Sequence, residues 1–334
     1  MIKLMVEPQL PPMQWDEFVA KAGPYAIALD GFVYGGPQFN ERRVALNINH
    51  HEEVDRLATR ATCAQTLMVI RQGLFELFRT NEGPKANVYV NDCDEDVCLS
   101  WFLLKNHHWS EQTMNPLLNR LVAMEDALDA TAGAYPFPVD LPVLQELAWI
   151  FEPYRQFRLS GEIDKKQPHA YRSIIEDVAN RIGHHLVGNG DRRHLDTRFE
   201  VIGGGKGWKM VKETGAQART GMFAEGIRAY VSVRERPDGK YTYVLGRMSP
   251  FIPFNLQALF KRFNAEEGKD ALDCWGGSNT VGGSPRVGGS KLTPEELTRV
   301  INDVLFPEKR IMSVAEMNAV MDDDKFCVPR GESV

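Results

Sequence analysis

Short apolar runs alternate with polar turns and longer stretches of helical periodicity through the first half of the chain. Residues 25–30 (YAIALD) and 43–49 (RVALNIN) are apolar runs that end in polar residues and flank a Gly-rich loop, the pattern of buried parallel strands. Between residues 52 and 78 the apolar positions Val54, Leu57, Ala61, Leu67, Met68, Ile70 and Leu74 recur at helical spacing, which predicts one long helix or a pair. A third run, residues 87–91 (NVYVN), leads into the acidic cluster Asp92-Cys93-Asp94-Glu95-Asp96 and then a helix carrying Leu99, Phe102 and Leu103. Residues 146–182 read as helices with a polar break near 161–169.

Strand, polar turn and helix in repetition predict an α/β fold: a doubly wound parallel sheet in the N-terminal part and a smaller C-terminal α/β domain of mixed sheet. The polar, turn-rich stretch 186–200 marks the boundary, so residues 1–190 and 200–334 are expected to form two domains. Past it, residues 226–236 and 241–247 read as antiparallel strands joined by Pro237-Asp238-Gly239.

Composition adds exclusions. A chain of 334 residues is long enough for two cores, since single cores stop growing at about 250–300 residues. No apolar run reaches the roughly 18 residues of a membrane span. Residues 1–13, with Lys3, Glu7 and three prolines, lack a signal-peptide core, so a cytoplasmic protein with no membrane partner is expected. Five cysteines (Cys63, Cys93, Cys98, Cys274, Cys327) with no CxxC pair fit reduced thiols. The net charge of −6 argues against a long duplex nucleic acid as partner. Charge is uneven, however: residues 201–300 carry 15 Lys and Arg against 10 Asp and Glu, which leaves −11 on the rest. An acidic part able to hold cations is joined to a basic part able to hold anions.

The candidate chemistry lies where strands end. Asp30 ends one run, His50 and His51 end the next, Asp94 and Asp96 follow a third, and Asp126 and Asp129 lie in LVAMEDALDATAG. A solvated acidic loop accounts for 92–96 taken alone, and a structural role accounts for a lone His pair. Together, at the ends of neighbouring parallel strands, these residues would meet in one crevice. Several Asp with two His suit a pair of Mn²⁺ ions, or Mg²⁺ or another divalent metal. His107-His108 and His184-His185 read as structural, and Trp208 and Trp275 as core.

On these residues the sequence resembles the DHH phosphoesterases. The name-giving triplet corresponds to Asn49-His50-His51, the preceding strand-end Asp to Asp30, and the D-x-D-x-D turn to residues 92–96, which here follows the His pair. A later family Asp falls at Asp129 or Asp126. In the second half Gly282-Gly283-Ser284-Pro285-Arg286-Val287-Gly288-Gly289 resembles the substrate-binding signature of the DHHA1 domain, and Arg247 lies in the strand upstream of it. Asn49 stands where the family has Asp, and Ser284 where it has His.

The resemblance implies two-metal hydrolysis of a small phosphate ester: a nucleotide, a cyclic dinucleotide or a short oligonucleotide. Asp30, His50, His51, Asp94, Asp96 and Asp126 or Asp129 would be metal ligands. His50, His51 and Asp94 would be catalytic. Arg247, Gly282, Gly283, Ser284, Arg286 and Gly288 would hold substrate. The alternative is a non-catalytic nucleotide-binding module, motivated by Asn49 and Ser284. Whether the chain forms a homo-oligomer is left open.

Overall fold

The computed structural model describes residues 1–307 except 52, 112–113, 270–272 and 286–287. Arg286 and Cys327 therefore lie outside the described residues.

The first sheet contains β1 (Ile2–Val6), β2 (Ala26–Leu29), β3 (Gln38–Asn40), β4 (Ala45–Ile48) and, after a small hairpin of β5 (Arg79–Thr80) and β6 (Gly83–Pro84), β7 (Ala86–Val90). Its order is β1-β7-β2-β4-β3. β1, β7, β2 and β4 run parallel, and β3 is an antiparallel edge. β7, last in sequence, inserts between β1 and β2, so the turns after β2, β4 and β7 leave the same edge side by side.

Alternation along the central strands separates two cores. Ile27 and Leu29, with Val88 and Val90, face a large core under the helices Thr62–Arg71, Glu95–Lys105, Pro116–Ala130 and Pro168–Leu186. Ala26, Ala28 and Tyr89 face a smaller core closed by Phe18 of the helix Trp15–Lys21 and by Phe32 and Val33. Small alanines on that face let one short helix lie close.

The second sheet holds β8 (Phe199–Gly205), β9 (Trp208–Glu213), β10 (Ala229–Glu235), β11 (Tyr241–Arg247), β12 (Gly276–Gly277) and β13 (Val281–Gly283), in the order β12-β13-β11-β10-β9-β8. It is mixed: β9 and β10 are parallel and the other pairs antiparallel. The helices Leu256–Glu267 and Pro294–Leu305 pack on it through Leu259, Phe263, Leu297 and Ile301. Trp208 and Trp275 are buried in this core, as the sequence predicts. The chain is thus an α/β protein with a mostly parallel sheet followed by a mixed one. Between Leu186 and Phe199 no regular element forms. Among the described residues no helix is long and apolar enough to cross a membrane, and Cys63, Cys93, Cys98 and Cys274 are free thiols.

One expected element differs. Helix begins only at Thr62, not near residue 52. Glu53 adopts a left-handed backbone (φ 54°), and Asp55 ties its own turn by accepting from Leu57 N–H (3.0 Å). Leu57 is half exposed and supplies no core side chain to hold a helix there.

Candidate metal centre

Asp30, His50, His51, Asp96 and Asp129 come together at the carboxyl edge of the first sheet. Asp30 follows β2 in a left-handed conformation (φ 51°), a backbone state that L side chains adopt at some cost and that is found most often where function or a tight turn demands it. Gly31 continues the turn at φ 82°. The turn aims the Asp30 carboxylate at the residues following β4: His51 Nε2 lies 2.9 Å from Asp30 Oδ1, and His50 Nε2 lies 3.6 Å from it. The Thr62 hydroxyl donates to the same oxygen at 2.8 Å.

Asn49 positions both histidines. Its side-chain amide donates to Gly35 O (2.8 Å) and Val33 O (3.2 Å), while its Oδ1 accepts from the N–H groups of His50 (2.8 Å) and His51 (3.1 Å). A carboxylate at this position could not donate to the two carbonyls. Asn at position 49 therefore has a local physical reason: a fully buried clasp between the His pair and the 33–35 loop.

On the other side, His50 Nε2 is 3.6 Å from Asp96 Oδ2 and 2.7 Å from Asp129 Oδ2. The latter oxygen is buried yet lacks hydrogen-bond geometry to any donor. Asp96 belongs to the first turn of Glu95–Lys105, and its carboxylate is clamped by the N-terminus of Thr62–Arg71: Oδ2 accepts from Thr62 N–H (2.7 Å) and Oδ1 from Cys63 N–H (2.6 Å). Asp129 comes from the last turn of Pro116–Ala130.

Arg56 was not anticipated. Its Nη2 donates to Asp129 O (2.8 Å) and lies 3.5 Å from both Asp129 Oδ2 and His50 Nε2. A polar residue inside an apparently helical pattern ordinarily faces solvent, so nothing in its spacing marked it.

The remaining candidates have other partners. Asp94 caps the helix Glu95–Lys105 by accepting from Val97 N–H (2.9 Å). Burial, with the charges of Asp30, Asp92, Asp129 and Asp96 added to it, pushes its carboxyl well up. Asp126 accepts from Ala61 N–H (2.7 Å) and pairs with Arg60 (3.1 Å). Neither joins the ligand groups. Arg247 spends its guanidinium on carbonyls, with Nε to Asn279 O (2.6 Å) and Nη1 to Pro250 O and Ile252 O (3.2 and 3.1 Å). Ser284 exchanges two hydrogen bonds with Tyr243 (both 3.0 Å), and Gly282 and Gly283 lie in β13 against β11. Gly288 N–H donates to Asp273 (2.6 Å). These groups hold their own sheet together.

The electrostatics describe a centre short of positive charge. Burial raises the Asp96 carboxyl to about 7, with Asp129 and Asp30 adding to the effect. Burial acts the same way on Asp30, but His51, His50 and the Thr62 hydroxyl outweigh it and hold that carboxyl below the ordinary range. Asp30 raises the His51 imidazole to about 9, and His50 also lies above its ordinary value because Asp129 and Asp30 outweigh its burial.

Two groups have donor atoms mutually within 4.8 Å: Asp30, His50 and His51, and His50, Asp96 and Asp129. Ligands bound at about 2.1 Å to one ion stand roughly 3–3.5 Å apart, close to the 2.9 and 3.6 Å found around Asp30. Hard carboxylates with imidazole, and the raised hold of Asp96, His50 and His51 on a proton, fit a divalent cation such as Mn²⁺. No family model and no curated protein matches the chain.

Proposed function

We propose that the chain is a metal-dependent phosphoester hydrolase acting on a small phosphorylated molecule, such as a nucleotide, a cyclic dinucleotide or a short oligonucleotide. One observation carries the reading: Asp30, His50, His51, Asp96 and Asp129, from four separate segments, meet at the carboxyl edge of a mostly parallel sheet, where α/β folds bind ligands. The likeness to DHH phosphoesterases, the doubly wound organisation of residues 1–190 and a substrate-binding role for residues 200–334 belong to the same proposal.

A bound divalent ion supplies a Lewis acid and lowers the pKa of a water from near 16 toward about 7. The chain's own groups supply the rest. Asn49 fixes the two imidazoles. Thr62 and the N-terminus of its helix hold Asp30 and Asp96 in place. Arg56 brings a permanent positive charge to the cluster, which favours an anionic substrate. A groove of about 530 Å³ is lined by Arg60, Arg71 and Asp126, the last one turn before Asp129, together with Leu67, Met68 and Val122. Its mixed lining suits the organic part of a short anionic substrate better than a long polymer.

The test is hydrolysis by dialysed protein, with and without Mn²⁺, of a model phosphodiester, short oligonucleotides and adenosine bisphosphate. Activity that needs Mn²⁺ and falls at least a hundredfold in Asp30→Ala and His50→Ala is expected. Calorimetric nucleotide binding without turnover in any of these assays would point instead to the non-catalytic binding module.

A further inference from the structure

We infer that the centre is built for one divalent cation and that the Arg56 guanidinium takes the place of a second. The inference rests on the metal-dependent reading above and departs from the two metal ions expected from the sequence.

The two candidate groups share more than a residue. His50 approaches Asp30, Asp96 and Asp129 through the same atom, Nε2. An imidazole nitrogen has one lone pair, so it serves one ion, whereas a carboxylate can bridge two. Two complete three-ligand sites therefore cannot coexist on these residues. If His50 serves the Asp96–Asp129 side, the other side keeps only Asp30 and His51.

Arg56 decides which side the ion takes. Its side chain is 9% exposed, its Nη2 reaches Asp129 O at 2.8 Å, and it stands 3.5 Å from both Asp129 Oδ2 and His50 Nε2. Its Nε is buried with no partner among the described residues. A guanidinium does not lose its proton in a protein, so the charge is permanent. A dication placed against it in a poorly solvated cluster would be strongly repelled. Each Asp96 oxygen accepts one backbone N–H and keeps a lone pair, so it is the guanidinium beside Asp129, and not those bonds, that keeps a dication from the Asp96–Asp129 side. Asp30, His50 and His51 remain as the ion's ligands. Arg56 stands beside the Asp129 carboxylate, and the Asp96 carboxylate is held by two N–H groups of the helix N-terminus.

The test counts metal. Protein stripped with chelator, reloaded with excess Mn²⁺ and desalted is analysed for manganese per chain, with circular dichroism confirming that each variant is folded. One Mn²⁺ is expected for the unmodified protein and for Arg56→Lys, which keeps the charge. In equilibrium dialysis of the unmodified protein and Arg56→Gln against excess Mn²⁺, Arg56→Gln should take up a second, more weakly held ion on the Asp96 and Asp129 carboxylates, which desalting would strip. Two ions in the unmodified protein overturn the inference, and so does a single ion in folded, dialysed Arg56→Gln. If Arg56→Gln does not fold, the counts for the unmodified protein and Arg56→Lys decide. An unmodified protein that retains no Mn²⁺ overturns the metal-dependent reading itself, which separates the two failures.

Discussion

Asp96 binds the start of the helix Thr62–Arg71 through both carboxylate oxygens, with Thr62 N–H at 2.7 Å and Cys63 N–H at 2.6 Å. An acid on one helix thus satisfies two of the orphan donors at the N-terminus of another, where the helix dipole also favours negative charge. Removing it leaves two buried N–H groups unpaired, each worth about 1–3 kcal/mol. Asp96→Ala should therefore lower stability by at least about 2 kcal/mol in chelator, read as a fall in the denaturant midpoint. Asp94→Ala removes a single helix cap and should lower it by about 1 kcal/mol. Equal effects from the two would mean that the clamp contributes nothing special.

With metal removed by chelator, the centre makes stability depend on pH. Asp30 raises His51 to about 9, so the stability from that pair is fully present below the ordinary 6.5 and is lost as pH rises through about 9. Burial, then Asp129 and Asp30, raise Asp96 to about 7. The folded chain holds that proton more tightly than the unfolded one, so stability also falls as pH climbs from the ordinary 3.8 toward 7. Asp30, held low, acts in the opposite sense, and its contribution is lost only in acid. Thermal unfolding in chelator should show the midpoint falling from pH 6 to pH 9, and saturating Mn²⁺ should flatten that fall by replacing the protons. Identical slopes with and without Mn²⁺ would count against a cation site at Asp30 and His51.

Much of the site could be read from strand ends. Asp30, His50, His51 and Asp96 come from segments whose apolar runs and polar termini marked them, whereas Asp129 was one of two candidates, with Asp126, in LVAMEDALDATAG. Three-dimensional detail decided among neighbours. A helix that starts at Glu95 makes Asp94 its cap and turns Asp96 inward. In the helix Pro116–Ala130, Asp129 faces His50 while Asp126 is drawn to Ala61 and Arg60. Arg56 stayed hidden because a buried cation has no pattern of its own: its role depends on Asp129, 73 residues away. β1 and the β8–β9 hairpin were also missed. β1 is five residues interrupted by Lys3, and β8 leaves Val201 and Ile202 exposed and ends in glycines, so neither shows a clean apolar alternation.

The Gly-rich segment tests a functional against a structural explanation of a motif. A Cβ on Gly282 would sit 2.4 Å from Gly276 O, 2.5 Å from Phe260 Cζ and 2.8 Å from Gly277 Cα, whereas one on Gly276 would meet nothing within 4 Å. Backbone that close cannot yield as a flexible side chain does, so Gly282→Ala should lose about 1–3 kcal/mol. Gly276→Ala should change stability by less than about 0.5 kcal/mol. Denaturant titration of both variants is the measurement. A fully stable Gly282→Ala that has lost activity would restore a substrate-contact role.

Arg247 allows the same separation. Its guanidinium ties Asn279, Pro250 and Ile252 through their carbonyls, so Arg247→Ala should destabilise the protein by about 1–2 kcal/mol and leave manganese content unchanged. Arg247→Lys cannot reproduce three bonds fanned from a planar group and should recover little. If the arginine instead holds substrate phosphate, Arg247→Ala will keep its unfolding midpoint and raise KM.

Glu146 fastens the connection between the two sheets. Its buried carboxylate receives Arg120 (2.5 Å) from the helix Pro116–Ala130 and Arg192 (2.8 Å) from the irregular stretch after Leu186, and Arg193 N–H donates to Gln145 O (3.0 Å) beside it. The helix Pro142–Ile150 therefore pins a segment that has no regular structure of its own. Arg120 and Arg192 are each about half exposed and can return to water, so the loss in Glu146→Ala should be near 1–2 kcal/mol, below the value for a fully buried pair. The sharper consequence is local. Freed from Glu146, residues 188–195 should open without global unfolding, and limited trypsin digestion should cut after Arg192 or Arg193 at least tenfold faster than in the unmodified protein. An unchanged cleavage rate would show that the remaining contacts hold the connection without the carboxylate.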